Sequence, residues 1–194
     1  MEKLQSLAEQ RYGEVAAETV SNWRAMLRLS SGLSESEKLF KINNFFNFRI
    51  RFDSDDQIWQ QTDYWATPLE TMAYARGDCE DLTIAKYASL RLLGIAPEKL
   101  KLTYVNANRG LPDNPVNQPH MVLTYYPDDN SSPLVLDNLV EDIRPVSERS
   151  DLQPVFSFND QGFWVAGVNR TSEPASRLPR WGDVLSRMQS EGLL

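Results

Sequence analysis

Apolar positions in the first third of the chain fall at helical spacing. Leu4, Leu7, Tyr12, Val15, Trp23 and Leu27 carry this pattern, and Gly13 weakens the case for one unbroken helix. A second helix starts at Ser34, where Ser34 and Glu37 form a capping-box pattern ahead of Leu39, Ile42, Phe45 and Phe46. The acidic segment 53–56 and the run 63–68 read as loop, because charge favours solvent and Pro68 biases Thr67 away from helix. A third helix is predicted with Asp78 as N-cap and Cys79 as first helical residue. Leu82, Ala85, Ser89 and Leu92 or Leu93 form its buried face, and Gly94 ends it with Pro97 just beyond.

The pattern then changes to strands, predicted at 100–105, 121–126 and 134–137. The turn residues between the last two make them an antiparallel hairpin. His120, at the start of one strand, therefore lies near Asp137, at the end of its partner, to about two residues of register. Further on, Val155, Phe156, Phe158, Phe163, Trp164 and Val165 supply one or two more strands, and 181–188 a short terminal helix. These elements predict an α+β fold in one domain spanning 1–194. A helical part occupies about 1–95, a mainly β part about 98–168, and the helix that starts at Cys79 packs on an antiparallel sheet.

Composition narrows the function classes. With 194 residues and 41% hydrophobic content the chain can bury a core. The net charge of −7 argues against nucleic-acid binding and leaves room for a divalent cation. One cysteine excludes an internal disulfide. No stretch approaches the roughly 20 apolar residues of a membrane span, so no membrane insertion is expected. The residues Met1-Glu2-Lys3-Leu4 do not begin a secretory signal, so an exported form would have lost its leader.

The single cysteine and the single histidine carry the chemistry. A helix N-terminus favours thiolate at Cys79. His120 is the only imidazole that can take the thiol proton and deliver it to a leaving group. Asp137 is placed to hold that ring as the third member of a triad. Taken singly, each has a plainer reading: a buried thiol, a structural histidine, a turn aspartate. Asp78, Glu80 and Asp81 pose a difficulty, because three carboxylates beside a thiolate raise its pKa. They either cap the helix and complement its dipole, or some of them bind Ca²⁺ and are neutralised by it.

The string Gly77-Asp78-Cys79-Glu80-Asp81, with Lys86-Tyr87, Leu90-Arg91, Pro119-His120-Met121-Val122-Leu123 and Leu136-Asp137-Asn138-Leu139, resembles the bacterial transglutaminase-like cysteine proteases of the LapG type. The preceding Asp63-Tyr64-Trp65-Ala66-Thr67-Pro68-Leu69-Glu70 resembles that family as well, and the likeness runs over about 43–163. The resemblance implies a papain/transglutaminase-like fold, a catalytic set of Cys79, His120 and Asp137, and a calcium site that includes Asp78, Glu80 and Asp81. It also implies a periplasmic location and a large surface adhesin as substrate, cut near its N-terminus at a paired-alanine site to control biofilm attachment. An inner-membrane cyclic di-GMP receptor is implied as inhibitor. Two alternatives stay open on the residues alone. One is a transglutaminase-like acyltransferase that passes the same thioester to an amine, and the other is an inactive peptide-binding module stabilised by Ca²⁺.

Overall fold

The computed structural model describes residues 2–110, 116–128, 130–166 and 178–193. Gly13 does divide the N-terminal helical stretch in two. Helices α1 (Glu2–Tyr12) and α2 (Glu14–Ser30) are separate, and Gly13 joins them at φ 88°, a left-handed conformation that a side chain would strain. Helix α3 (Glu35–Arg49) begins with the expected capping box. The Glu37 backbone N–H donates to the Ser34 hydroxyl at 3.4 Å, and the Ser34 N–H donates to the Glu37 carboxylate at 2.9 Å. Its Leu39, Ile42, Phe45 and Phe46 are all buried.

Between α3 and the next long helix the chain is more ordered than the sequence pattern indicates. A short strand β1 (Arg51–Phe52) pairs in parallel with β2 (Arg76–Gly77), and two short helices, α4 (Asp55–Ile58) and α5 (Pro68–Tyr74), lie between them. The expectation of a solvated acidic loop at 53–56 holds for Asp53 and Ser54 and fails at Asp55. Asp55 opens α4 and is buried, because its carboxylate is drawn inward to the backbone N–H of Tyr64 at 2.6 Å. Thr67 is extended, as Pro68 requires, and caps α5.

Helix α6 (Cys79–Leu92) starts and stops where expected, with Asp78 as N-cap and Gly94 at φ 84° just beyond. Leu93 is buried and Leu92 exposed. The sheet has the order β6-β5-β4-β3-β7-β8, with β3 (Leu100–Asn108), β4 (Asn117–Tyr125), β5 (Leu134–Leu136), β6 (Arg144–Pro145), β7 (Leu152–Phe158) and β8 (Phe163–Val165). All neighbours in it are antiparallel. Strand β4 begins three residues before His120, so His120 lies within the strand rather than opening it. Pro119 is tolerated there because β5 pairs only from Leu123 onward, which leaves that end of β4 hydrogen-bonded on one side. The β4–β5 hairpin pairs Leu123 with Leu136, which brings Asp137 toward the His120 end of β4.

One apolar cluster joins the helices to the sheet. It runs from Leu4 of α1 through Trp23, Phe46 and Ile84 to Leu102, Leu123 and Phe158, and includes Trp181 and Val184 of α7 (Pro179–Glu191). The indole N–H of Trp23 is satisfied inside it by the Ser89 hydroxyl at 2.9 Å. Trp65 stacks on Phe158 at 5.6 Å and is 8% exposed, so it belongs to this core. No helix among the described residues is long and apolar enough to cross a membrane.

Candidate active site and metal centre

The N-terminus of α6 is held from both sides. Asp78 Oδ1 accepts the backbone N–H groups of Glu80 at 3.1 Å and Asp81 at 3.4 Å, while Asp81 Oδ2 accepts the Asp78 N–H at 3.4 Å. Gly77 is required by this packing, since a Cβ there would lie 2.8 Å from the Asp81 Cβ. On the other side, the Thr83 hydroxyl donates to the Met121 carbonyl at 3.2 Å, which ties the first turns of α6 to β4. The helix that Cys79 opens is thus joined to β4 at the residue after His120.

His120 and Asp137 are joined directly. His120 Nε2 lies 2.8 Å from Asp137 Oδ1, and both side chains are buried. Oδ1 also accepts the Leu139 N–H at 3.0 Å, and Oδ2 accepts Arg149 Nη2 at 2.8 Å. From α3, Asn47 donates to the Asp137 carbonyl at 2.7 Å and Asn43 donates to the Glu141 carbonyl at 2.9 Å, fixing the chain after β5. Burial opposes the Asp137 charge. The hydrogen bond and charge of His120, with Leu139 and Arg149, outweigh it and hold the carboxyl down at about 2. The bond to Asp137 leaves Nδ1 as the other nitrogen of the His120 ring.

Cys79 is partly buried and donates its thiol proton to Glu80 Oε2 at 2.7 Å. Burial pushes this thiol well up, Glu80 and Asp78 push it further, and the Met121 N–H acts the other way. With these carboxylates uncompensated, the sulfur is held as thiol and is a poor nucleophile.

The compensation is legible in the same cluster. Carboxylate oxygens of Asp55, Asp78 and Asp81 lie within 4.8 Å of one another. Asp55 Oδ2 takes the Tyr64 N–H, and Asp81 Oδ1 takes the Ala66 N–H at 2.7 Å, which orients both carboxylates. Asp55 Oδ1 is buried with no hydrogen-bond partner among the described residues. Burial, with the neighbouring carboxylates, raises all three acids, Asp55 to about 6 and Asp78 and Asp81 well above the carboxylate range. Two buried carboxylates and a half-buried one, with an orphaned oxygen, are an arrangement of hard donors that a divalent cation fits and that water or a proton satisfies poorly.

The expected metal set is thus brought together in part. Asp78 and Asp81 meet in this cluster, whereas Glu80 groups with Asp78 and Cys79 and holds the thiol. Asp55, which sequence reasoning did not select, completes the group from 23 residues upstream of Asp78. No local signal marks it, because Asp53, Asp55 and Asp56 look alike in the sequence, and only the fold buries one of them.

Comparison with known proteins gives the family. The family model of bacterial transglutaminase-like cysteine proteinases matches residues 11–170. Among solved structures, EGTA-treated Legionella pneumophila LapG is similar at 34% identity and a TM-score of 0.85, covering 96% of each chain. Calcium-bound Legionella pneumophila LapG is similar at 35% identity and a TM-score of 0.81, covering 96% of this chain and 98% of that one. A search of curated protein sequences gives no match. A family match over most of the length, joined to the fold and identity shared with LapG, places the chain in the bacterial transglutaminase-like cysteine proteinase family.

Proposed function

We propose that the protein is a calcium-dependent cysteine endopeptidase in which Cys79 is the nucleophile, His120 the general base and acid, and Asp137 the group that orients the imidazole. The observation that carries this reading is the buried 2.8 Å contact between His120 Nε2 and Asp137 Oδ1, on a strand whose next residue, Met121, accepts the Thr83 hydroxyl of the helix that Cys79 opens. With Nε2 committed to Asp137, Nδ1 of His120 takes the thiol proton. The Cys79 sulfur then attacks the scissile carbonyl, and the peptide C–N bond breaks as His120 returns the proton to the leaving amine. Water, deprotonated by the same imidazole, hydrolyses the thioester and regenerates the thiol. Asp137 stays ionised throughout, as its low pKa requires.

Asp55, Asp78 and Asp81 would hold the calcium, and Glu80 would join only by releasing the thiol. When bound, the cation supplies positive charge that offsets the carboxylates around Cys79 and fixes the start of α6. The binding of calcium by the LapG relative supports this choice of metal.

The resemblance to the LapG type supports the finer reading: a periplasmic enzyme whose substrate is the N-terminal region of a large bacterial surface adhesin, cut at paired alanines. An inner-membrane cyclic di-GMP receptor would restrain it. The chain 1–194 would act as one domain. The test is cleavage of a candidate adhesin N-terminal fragment by wild type and by Cys79→Ala, each with Ca²⁺ and with chelator. Cleavage by calcium-loaded wild type alone is expected. Cleavage by Cys79→Ala would refute the nucleophile, and transfer of the acyl group to an added amine faster than hydrolysis would make the protein a transglutaminase.

A further inference from the structure

Arg149 lies outside every motif considered above, yet its side chain is 4% exposed and reaches the carboxylate behind His120. We propose that Arg149 is a positioning residue that sets the basicity and orientation of His120 through Asp137. This inference rests on the triad assignment. Asp137 has both oxygens engaged: Oδ1 by His120 Nε2 and the Leu139 N–H, and Oδ2 by Arg149 Nη2. A carboxylate held at both oxygens cannot rotate, so the imidazole plane is fixed by a residue that never meets the substrate. Arg149 is itself anchored by Asp151, through Nε to Oδ1 at 2.9 Å and Nη2 to Oδ2 at 2.7 Å. The result is a row of alternating charge from His120 through Asp137 and Arg149 to Asp151, buried at the first three members and open to solvent at the last.

The electrostatic consequence follows from the order of the row. Asp137 alone would stabilise the imidazolium strongly, because the pair is buried and little screened. The guanidinium on the far oxygen draws on the same carboxylate and lowers the affinity of His120 for its proton. His120 then gives that proton up readily to a leaving amine, which a more basic imidazole would do less well. Asp151, at the solvent end, acts in the opposite sense and more weakly. The other groups around the pair are Lys86, which faces Asp137 from α6, and Cys79, at the start of the same helix. Neither hydrogen-bonds the Asp137 carboxylate among the described residues.

One histidine means one imidazole signal, so the test is direct. The His120 pKa is measured by NMR titration in calcium-loaded Cys79→Ala protein, which removes the thiol from the titration. Adding Arg149→Met should raise it by about one unit. Arg149→Lys should restore most of the wild-type value, and Asp151→Asn should lower it by a few tenths. A merely structural role would move the Met and Asn variants in the same direction or leave both unchanged, and either result overturns the proposal. Should Arg149→Met fail to fold, Asp151→Asn decides alone: a fall supports the proposal and a rise or no change refutes it. With Cys79 intact, Arg149→Met should lower kcat roughly tenfold with KM unchanged, and Arg149→Lys should recover most of the loss. If the titration shifts appear while no variant and no wild type cleaves peptide, the Arg149 linkage stands and the protease reading falls.

Discussion

Replacing Lys86 with methionine should stabilise the protein, by an amount that depends on pH in a calculable way. Lys86 lies two turns after Cys79 on α6, is 1% exposed, and its ammonium has no hydrogen-bond partner among the described residues. Burial lowers its pKa from 10.5 to about 7, and the only opposing influence is the charge of Asp137. Below pH 7 both folded and unfolded chains hold the proton, and the folded state bears the full cost of a buried charge. Between pH 7 and 10.5 the folded state releases the proton while the unfolded chain keeps it, so stability rises with pH and the cost fades. At about 1.4 kcal/mol per unit, the gap between the two values sets that cost at about 5 kcal/mol. Methionine keeps the length and the apolar stem but removes the charge, and Asp137 loses a cationic neighbour in return. The net gain at pH 6 should be about 2–4 kcal/mol, or roughly 5–15 °C in Tm for a chain of this size. Urea unfolding of both proteins at pH 6 and pH 9.5 checks this. The advantage of Lys86→Met should be larger at pH 6. A variant less stable than wild type at pH 6, or an advantage that grows with pH, would show that Lys86 forms a net-favourable ion pair and that the reasoning is wrong.

Three further outcomes are expected. Asp55→Asn keeps the size of the side chain but removes one of three clustered carboxylates, so calorimetry should show calcium affinity falling by at least about tenfold, and an unchanged affinity would exclude Asp55 as a ligand. Gly77→Ala places a Cβ 2.8 Å from the Asp81 Cβ, so calcium affinity should drop although no ligand is altered; an unaffected affinity would mean that the helix start shifts freely. Ser34→Ala removes the acceptor of the Glu37 N–H, and should cost about 1 kcal/mol of unfolding free energy with peptidase activity intact, as measured by denaturation and by turnover of the same sample.

These sites differ in how far the chain announces them. Ser34, Gly13, Asp78 and Gly94 are punctuation whose meaning is local, and each lies where its chemistry predicts. The hairpin places Asp137 near His120 because β pairing converts sequence spacing into register. Asp55, Arg149, Asn43 and Asn47 were not legible, since each acts on a partner between 12 and 98 residues away. Asp55 was positively misleading: an acidic run signals solvent unless a backbone donor, here the Tyr64 N–H, and a neighbouring cluster draw one member inside. Lys86 was visible only as part of a motif. A lysine on the helix face turned toward the core contradicts its residue type, and such contradictions of local preference concentrate at functional sites.

In the proposed mechanism Cys79 becomes a nucleophile when His120 accepts its proton and a cation offsets the carboxylates around it. The most direct measurement is the rate of iodoacetamide alkylation of this single cysteine at pH 7, read by intact-mass spectrometry. It is made on wild type and His120→Ala, each with saturating Ca²⁺ and with chelator. Alkylation of calcium-loaded wild type should be at least tenfold faster than in the other three samples. Equal rates in all four would mean that neither His120 nor the metal activates the thiol, and the account of this site would be wrong.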